Sequence, residues 1–239
     1  MNCPHCKSIF RQHWLGRLAA EAFTSDYVRF VTLTYDEEHL DDRAFALDNE
    51  HFKDYSKSRR RKYDFKHFTV GEYGDKTGRP HWHSLQFFKG KPPVEPLDFA
   101  QVQYGWRKGN SLYQTPNSVA ACCAYVYDYL DKGGKALRPS PGLGKQYLLA
   151  FARMQARNNR RLTDHVGIRY TVPNARRTDG VSWYYHIPPS HHWASDIAAE
   201  YVEEWERTQD GPLIDPLRNI DYLTSEIDET KIRCFQHGQ

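Results

Sequence analysis

The sequence has few of the features that mark secreted, membrane-spanning or fibrous proteins. Its 239 residues contain only five cysteines, of which Cys122 and Cys123 are adjacent, so a secreted disulfide framework is not expected. No run approaches the roughly eighteen apolar residues of a membrane helix, and the first residues lack the apolar stretch of a signal peptide. No repeat has the period of a solenoid or a propeller. We therefore expect a globular protein with reduced thiols that stays in a cytoplasm and does not contact a membrane.

Charge is unevenly distributed along the chain, although the net charge is only +3. Residues 1–195 carry 29 Lys and Arg against 19 Asp and Glu, whereas residues 196–239 carry 4 against 11. A basic body suits a polyanionic partner such as nucleic acid, and an acidic tail would lie outside that contact surface. An ordinary solvated surface with an acidic terminal segment is the alternative.

The hydrophobic pattern predicts alternating helices and strands. Strands are predicted at 27–35, 65–73, 80–88 and 109–114, and helices at 7–24, from Asp48 to about Lys62, from Thr115 to Gly133, and at 143–157. Pro116 would occupy the first helical position after a Thr115 cap. A hairpin of 166–173 with 181–187, a helix at 194–207 and an irregular acidic tail follow. This order predicts an antiparallel α+β sandwich with helices on one face.

The stretch from Gly71 to His83 carries the most chemical information. Residues two apart in a strand share a face, so His81 and His83 project together while Trp82 points to the other side. If the hairpin pairs symmetrically about its turn, Glu72 lies opposite His81. Two imidazoles and one carboxylate suit Mn²⁺ or Zn²⁺ and tolerate Mg²⁺. Chance spacing among the twelve histidines is the alternative.

A second group of candidate residues lies on the helix predicted to begin at Thr115. Tyr125 and Tyr129 are four residues apart and share a helical face with Lys132. A neighbouring apolar stripe would provide the core contact: Val119, Cys123, Val126 and Leu130. A phenol with an ordinary pKa near 10 is a weak nucleophile unless a cation or a metal assists it. A packing pair of aromatic rings is the alternative.

In combination, these motifs resemble the HUH endonucleases, most closely the rolling-circle replication initiators of microviruses of the gokushovirus type. The resemblance covers about residues 3–150 and rests on five ordered segments: Cys3-x-x-Cys6, Phe30–Leu40, Gly71–Gly74 with Gly78–His83, the tyrosine helix, and Arg138–Gly144. It implies an HUH/RRM-like antiparallel sheet sandwiched with helices in a domain at 1–158, with a C-terminal extension at 159–239. The strand at Phe30–Tyr35 would lie beside the strand of His81 and His83.

The resemblance also implies the roles of the site residues. Glu72, His81 and His83 would hold Mg²⁺ or Mn²⁺. Tyr125 would attack single-stranded DNA at the replication origin and form a 5′-phosphotyrosine, and Tyr129 would make the second cut. Lys132 occupies the position of the downstream lysine. Because Asp128 stands where related sequences carry a basic residue, Tyr125 is favoured over Tyr129 as the nucleophile.

Contacts to DNA are expected at phosphates and through base stacking. The candidate residues are Arg79 beside the histidines and the cluster at the end of the second predicted helix: Arg59, Arg60 and Arg61. For that cluster, a solvated charge run is the alternative. A host helicase is a candidate partner, and the host bacterial cytoplasm is the expected location. Cys3 and Cys6 supply half of a zinc site, which His5, His13, Cys234 or His237 could complete.

Two other functions compete with this interpretation. A non-catalytic, RRM-like single-stranded nucleic-acid-binding protein would use the same sheet and basic surface. It would leave the histidine pair and the tyrosine pair without a function. A nuclease of a transposon or plasmid would normally need only one tyrosine.

Overall fold

A computed structural model describes residues 4–90, 105–116, 118–131, 134–176 and 180–208 of the chain. The chain forms two compact units. The first unit consists of residues 25–143, and the second joins the residues up to Thr24 with those from Gly144 onward. The boundary expected after residue 158 falls inside the second unit. The assignment of the catalytic domain to residues 1–158 stays a prediction.

The secondary structure of the described residues follows the predicted order. The helices are α1 (Pro4–Thr24), α2 (Asp42–Phe45), α3 (Asn49–Arg60), α4 (Val119–Asp131), α5 (Lys145–Arg157) and α6 (Ala194–Thr208). The strands are β1 (Tyr27–Tyr35), β2 (Asp64–Tyr73), β3 (Pro80–Lys89), β4 (Gly109–Gln114), β5 (Lys135–Ala136), β6 (Thr163–Asp164), β7 (Gly167–Arg176) and β8 (Ser182–Ile187). None of these helices is both long enough and apolar enough to span a bilayer.

A five-stranded sheet in the order β4-β1-β3-β2-β5 forms the centre of the first unit. Every pairing in it is antiparallel, which confirms the predicted α+β class. Strand β1 lies beside β3, as the resemblance implied. The two-residue strand β5 was not predicted, because so short a segment shows no alternation.

Helices cover both faces of this sheet, so the expectation of helices on one face is wrong. On one face, α3 packs Phe52 against Trp82, with ring centroids 6.0 Å apart. On the other face, α4 packs against β2 and β3 and buries Cys123 and Val126. Strand β3 is buried continuously from Trp82 to Phe88. A strand buried on both sides needs cover on each face, and α3 and α4 provide it.

Helix α4 begins later than predicted. Its first residue is Val119, and the side chain of Ser118 accepts a hydrogen bond from the Ala121 N–H at 3.2 Å. Ser118 therefore satisfies an N–H group that the first turn leaves without a partner. The prediction that Thr115 caps the helix, with Pro116 in the first turn, is wrong.

The second unit packs α1, α5 and α6 with a three-stranded sheet in the order β6-β7-β8. The antiparallel pairing of β7 with β8 confirms the predicted hairpin. Its core contains aliphatic and aromatic side chains from the helices and the hairpin, among them Leu148, Ile168, Tyr201 and Trp205. The predicted acidic tail from residue 209 lies outside the described residues.

Candidate metal centre

Three potential metal ligands converge near the turn of the β2–β3 hairpin. The register pairs Glu72 with His81, as the symmetry of the hairpin predicted. Glu72 Oε1 lies 2.6 Å from His81 Nε2 and 2.9 Å from His83 Nε2. The ligand atoms of all three residues lie within 4.8 Å of one another. Trp82, between the two histidines, is buried on the opposite face.

The second nitrogen of His81 determines how its ring is protonated. His81 Nδ1 lies 3.0 Å from the carbonyl oxygen of Arg79. Because a carbonyl only accepts, Nδ1 carries the hydrogen, and in neutral His81 the lone pair of Nε2 faces Glu72 Oε1. Two acceptors at 2.6 Å require a proton or a cation between them. This arrangement fits a site that holds a cation.

His83 is held neutral by its surroundings. The residue is 5% exposed, and burial, followed by the charge of His81, lowers the pKa of His83 to about 3. Its Nδ1 contacts Thr32 Oγ1 at 3.1 Å, and the ring of Phe30 stacks on it with centroids 5.4 Å apart. Neutral imidazole is the form that binds metals, and such contacts to the far nitrogen orient the ring. Two neutral imidazoles and a carboxylate therefore match the donor set of a divalent ion.

Gly71 lets the sheet pack tightly on the face opposite the ligands. It pairs directly with Trp82, and a Cβ atom at this position would lie 2.8 Å from Trp82 Cζ3 and 3.0 Å from Leu47 Cδ1. Contacts this close are not available to a larger side chain without a shift of the indole. The glycine before Glu72 thus maintains the position of the strand that carries the carboxylate.

Tyr125 projects from α4 beside the ligand cluster. Its ring centroid lies 5.7 Å from that of His83 and 5.8 Å from that of Phe30. Its side chain remains 47% exposed. Tyr127 is 5% exposed, so it points in another direction, as its spacing on the helix predicted. Tyr125 therefore combines contact with the histidine cluster and access from solvent.

Other predicted members of the tyrosine helix are only partly described. The backbone of Tyr129 belongs to α4, but its side chain lies outside the described residues, as does all of Lys132. The same holds for the side chains of Val119 and Leu130 in the predicted apolar stripe. The roles of Tyr129 and Lys132 remain predictions.

Arg79 lies next to the ligand cluster and bonds to the end of β1. Its carbonyl contacts His81, and its guanidinium pairs with Glu37 and donates to the Tyr35 carbonyl at 3.4 Å. One third of its side chain is exposed. A phosphate could reach this guanidinium from solvent by replacing Glu37.

The three arginines at the end of α3 have different surroundings. Arg59 is buried, with its guanidinium carbon 4.6 Å from the centroid of the Tyr63 ring. Arg60 is exposed and donates to Ser140 Oγ at 3.1 Å, and Arg61 is also exposed. Arg60 and Arg61 thus face solvent, whereas Arg59 packs inside the unit.

Sequence reasoning did not identify Thr32 and Phe30 as neighbours of His83. Both lie on the same face of β1, and the register pairs Thr32 directly with His83. Their alternation in β1 is the signal that could have found them. That signal becomes informative only once β1 is paired with β3 in the correct register.

The predicted zinc ligands lie mostly outside the described residues. This applies to Cys3, Cys234 and His237, and to the side chains of His5 and Cys6 in α1. His13 is buried in the second unit. Zinc binding by Cys3 and Cys6 remains a prediction.

Comparison with known proteins connects this site with phage replication. Residues 28–134 match the family of the replication-associated protein ORF2. The chain is 28% identical over 204 residues to replication-associated protein ORF4 of Chlamydia phage 1, covering 72% of this chain and 50% of that protein. It is 39% identical over 121 residues to replication-associated protein VP4 of Bdellovibrio phage phiMH2K, covering 46% and 36%. It is 26% identical over 232 residues to replication-associated protein ORF2 of Spiroplasma virus 4, covering 84% and 70%. No solved structure matches the chain.

These matches confirm the resemblance to phage replication-associated proteins and fit a rolling-circle initiator of the microvirus type. The matched residues 28–134 include the ligand cluster and Tyr125. The chain spans half the length of the Chlamydia phage protein and 36% of the Bdellovibrio phage protein.

Proposed function

We propose that this chain is a phage replication initiator that cuts and rejoins single-stranded DNA at the origin through a bond between a tyrosine and a 5′-phosphate, with Mg²⁺ or Mn²⁺. The observation that carries this proposal is the exposed phenol of Tyr125 beside the cluster of Glu72, His81 and His83. Both features lie within the residues that match the replication-associated family.

Glu72 Oε1, His81 Nε2 and His83 Nε2 would bind the ion. Three protein ligands leave coordination positions for oxygen atoms of the substrate. The carbonyl of Arg79 and the hydroxyl of Thr32 hold the two rings with Nε2 directed toward Glu72. When bound, the ion would neutralise charge that develops on the phosphoryl oxygens in the transition state.

Tyr125 would act as the nucleophile. Its phenol oxygen, after losing its proton to solvent, attacks the scissile phosphorus, and the bond from phosphorus to the 3′-oxygen breaks. The 3′-oxygen takes up a proton and becomes a hydroxyl that can prime synthesis, while the 5′-phosphate stays on the tyrosine. Because one phosphodiester replaces another, rejoining needs no ATP. A second tyrosine, Tyr129, would cut again after one round of replication.

Exposed arginines would position the strand through its phosphates. Arg60 and Arg61 face solvent, and Arg79 lies beside the ligand cluster. Arg59 would act indirectly, because its guanidinium packs over Tyr63. A host helicase, working in the host bacterial cytoplasm, would separate the duplex ahead of the 3′-hydroxyl.

A cleavage assay tests the proposal. The full chain is incubated with labelled oligonucleotides that span the phage origin, with Mg²⁺, with Mn²⁺ or with EDTA. We expect cleavage and a covalent protein–DNA band only with metal, and loss of both in His81→Ala and Tyr125→Phe. Tyr127→Phe, which alters a buried phenol of the same helix, is the control and should cleave. Binding of these oligonucleotides without cleavage would instead support a non-catalytic single-strand binder.

The His81→Ala variant separates binding from chemistry. We expect it to lose cleavage and to retain weak, salt-sensitive DNA binding, since contacts from arginine to phosphate do not depend on the metal. Undiminished cleavage by this variant would remove the metal site from the mechanism.

A further inference from the structure

A cleft of about 770 Å³ opens in the second unit, apart from the residues of the candidate metal centre. Its walls are the C-terminal half of α5, the segment that leads into β6, and residues of β7 and β8. Strand β6 pairs only with Gly167 and Ile168, so β7 extends beyond it from Arg169 onward. The extension of β7 past this short strand gives the cleft its open side.

The cleft concentrates positive charge. Its lining includes Arg160, Arg161 and Arg169 but a single carboxylate, that of Asp164. Asp164 is engaged with His186 at 2.9 Å and lies 3.8 Å from Arg169. Within the described residues, no carboxylate pairs with the side chains of Arg160 or Arg161, and both residues are exposed. The cleft therefore presents two guanidinium groups that an anion can reach.

The neighbouring helix α5 shows that this arrangement is local. Its exposed arginines are paired with carboxylates of α6, Arg153 with Glu200 and Arg157 with Glu204. Arginine next to carboxylate is thus the arrangement on the α5–α6 surface. The adjacent cleft lacks such compensation at Arg160 and Arg161.

An aromatic ring lies at the same cleft. Tyr184 pairs with Thr171 in the β7–β8 ladder, and both line the cleft, while the next pair, Tyr170 with Tyr185, is buried. Half of Tyr184 is exposed. The guanidinium carbon of Arg169 lies 3.7 Å from the centroid of its ring. An exposed ring beside arginines is the combination that binds unpaired bases and their phosphates.

We propose that this arginine cleft binds single-stranded DNA, with Arg160 and Arg161 on phosphates and Tyr184 stacked on a base. The preference for an anion with an exposed ring system follows from the cleft itself. The choice of DNA rests on the proposed function. The chain would then hold its substrate with both units, one carrying the nucleophile and the other a contact that tolerates different sequences.

Binding measurements in EDTA test the cleft independently of cleavage. The affinity of the full chain for fluorescein-labelled dT₂₀ is measured by anisotropy over a range of salt concentrations. Each lost phosphate contact should lower the slope of log affinity against log salt by about 0.7 and weaken binding about fivefold at roughly 0.1 M salt. We expect this for Arg160→Gln and for Arg161→Gln. Arg176→Gln removes one charge from an exposed position of β7 outside the cleft and is the matched control.

Two further variants test the stacking contact. Tyr184→Ala should weaken binding by at least about fivefold, whereas Tyr184→Phe keeps the ring and should bind as the parent does. Photo-crosslinking of an oligonucleotide containing 5-iodouracil should then attach DNA to a peptide with Tyr184. Equal affinities and salt slopes for Arg161→Gln and Arg176→Gln, or crosslinks confined to residues 25–143, would overturn the proposal. Because EDTA removes catalysis from these measurements, a failure to cleave DNA would count against the proposed function alone.

Discussion

Glu72 and His81 face each other across the β2–β3 ladder, with Glu72 Oε1 2.6 Å from His81 Nε2. The same oxygen lies 2.9 Å from His83 Nε2. One carboxylate oxygen therefore contacts two imidazole nitrogens, and a hydrogen bond to a backbone carbonyl directs the nearer of these nitrogens as an acceptor. A divalent cation would satisfy all three groups at once.

The first prediction concerns this carboxylate. Glu72→Gln keeps the shape of the side chain but removes the negative charge, so the affinity for Mn²⁺ should fall by at least about tenfold, in line with the effect of disturbing groups around metal sites. Isothermal titration of the full chain with Mn²⁺ measures this. Glu37→Gln, at a carboxylate that pairs with Arg79, should retain the parent affinity. The same Mn²⁺ affinity in Glu72→Gln and the parent would contradict the assignment.

The second prediction concerns the packing behind the site. In Gly71→Ala the new methyl group would lie 2.8 Å from the indole of Trp82, so the free energy of unfolding should fall by about 1–3 kcal/mol. Gly74→Ala is the control, since its nearest contact would be an ordinary 3.5 Å to His81. Urea denaturation compares the two variants. Equal stability of both would show that the Trp82 ring adapts without cost.

The third prediction concerns acid stability. Burial, followed by the charge of Arg60, lowers the pKa of His67 to about 4 in the folded chain, whereas the unfolded chain titrates near 6.5. The unfolded state therefore takes up the proton first as pH falls, and the stability present above pH 6.5 is lost between about 6.5 and 4. Between pH 7 and 5 the loss due to His67 should be about 2 kcal/mol.

His67→Gln tests this effect by removing the titrating group. Its free energy of unfolding should change less between pH 7 and 5 than that of the parent, by the same about 2 kcal/mol. Urea denaturation of both proteins at the two pH values gives the comparison. Parallel losses in variant and parent would show that the buried His67 accepts a proton without cost to the fold.

The fourth prediction separates the two tyrosines of α4. Tyr129→Phe should still form the first covalent adduct, because Tyr125 lies beside His83. It should fail to release circular product from a template with two origins, since that step needs a second nucleophile. Gel analysis of adduct and circle reads both steps. Loss of the first adduct in Tyr129→Phe, with its retention in Tyr125→Phe, would reverse the roles.

Local patterns predicted much of the fold and the centre of the site. Alternation within the strands and the symmetric turn were enough to place Glu72 opposite His81. Asp48 also caps α3 as predicted, because its side chain accepts from the Glu50 N–H. Such features depend on neighbours in the sequence or on one hairpin.

Features that depend on distant packing were not predictable in the same way. In the run of three arginines, only tertiary contacts determine that Arg59 turns inward over Tyr63 while Arg60 and Arg61 face solvent. The contact of Thr32 with His83 depends on the register between β1 and β3. The cleft in the second unit depends on the packing of α5 beside β7. Sequence spacing alone contains none of these long-range constraints.

The most direct test of the account is to identify the residue that becomes linked to DNA. The full chain is incubated with Mn²⁺ and an origin oligonucleotide, digested with protease and nuclease, and analysed by tandem mass spectrometry. The account predicts a 5′-phosphoryl nucleotide on Tyr125, absent when Glu72 is replaced by Gln. An adduct on a residue remote from the histidine cluster, or cleavage that leaves no covalent adduct, would contradict it.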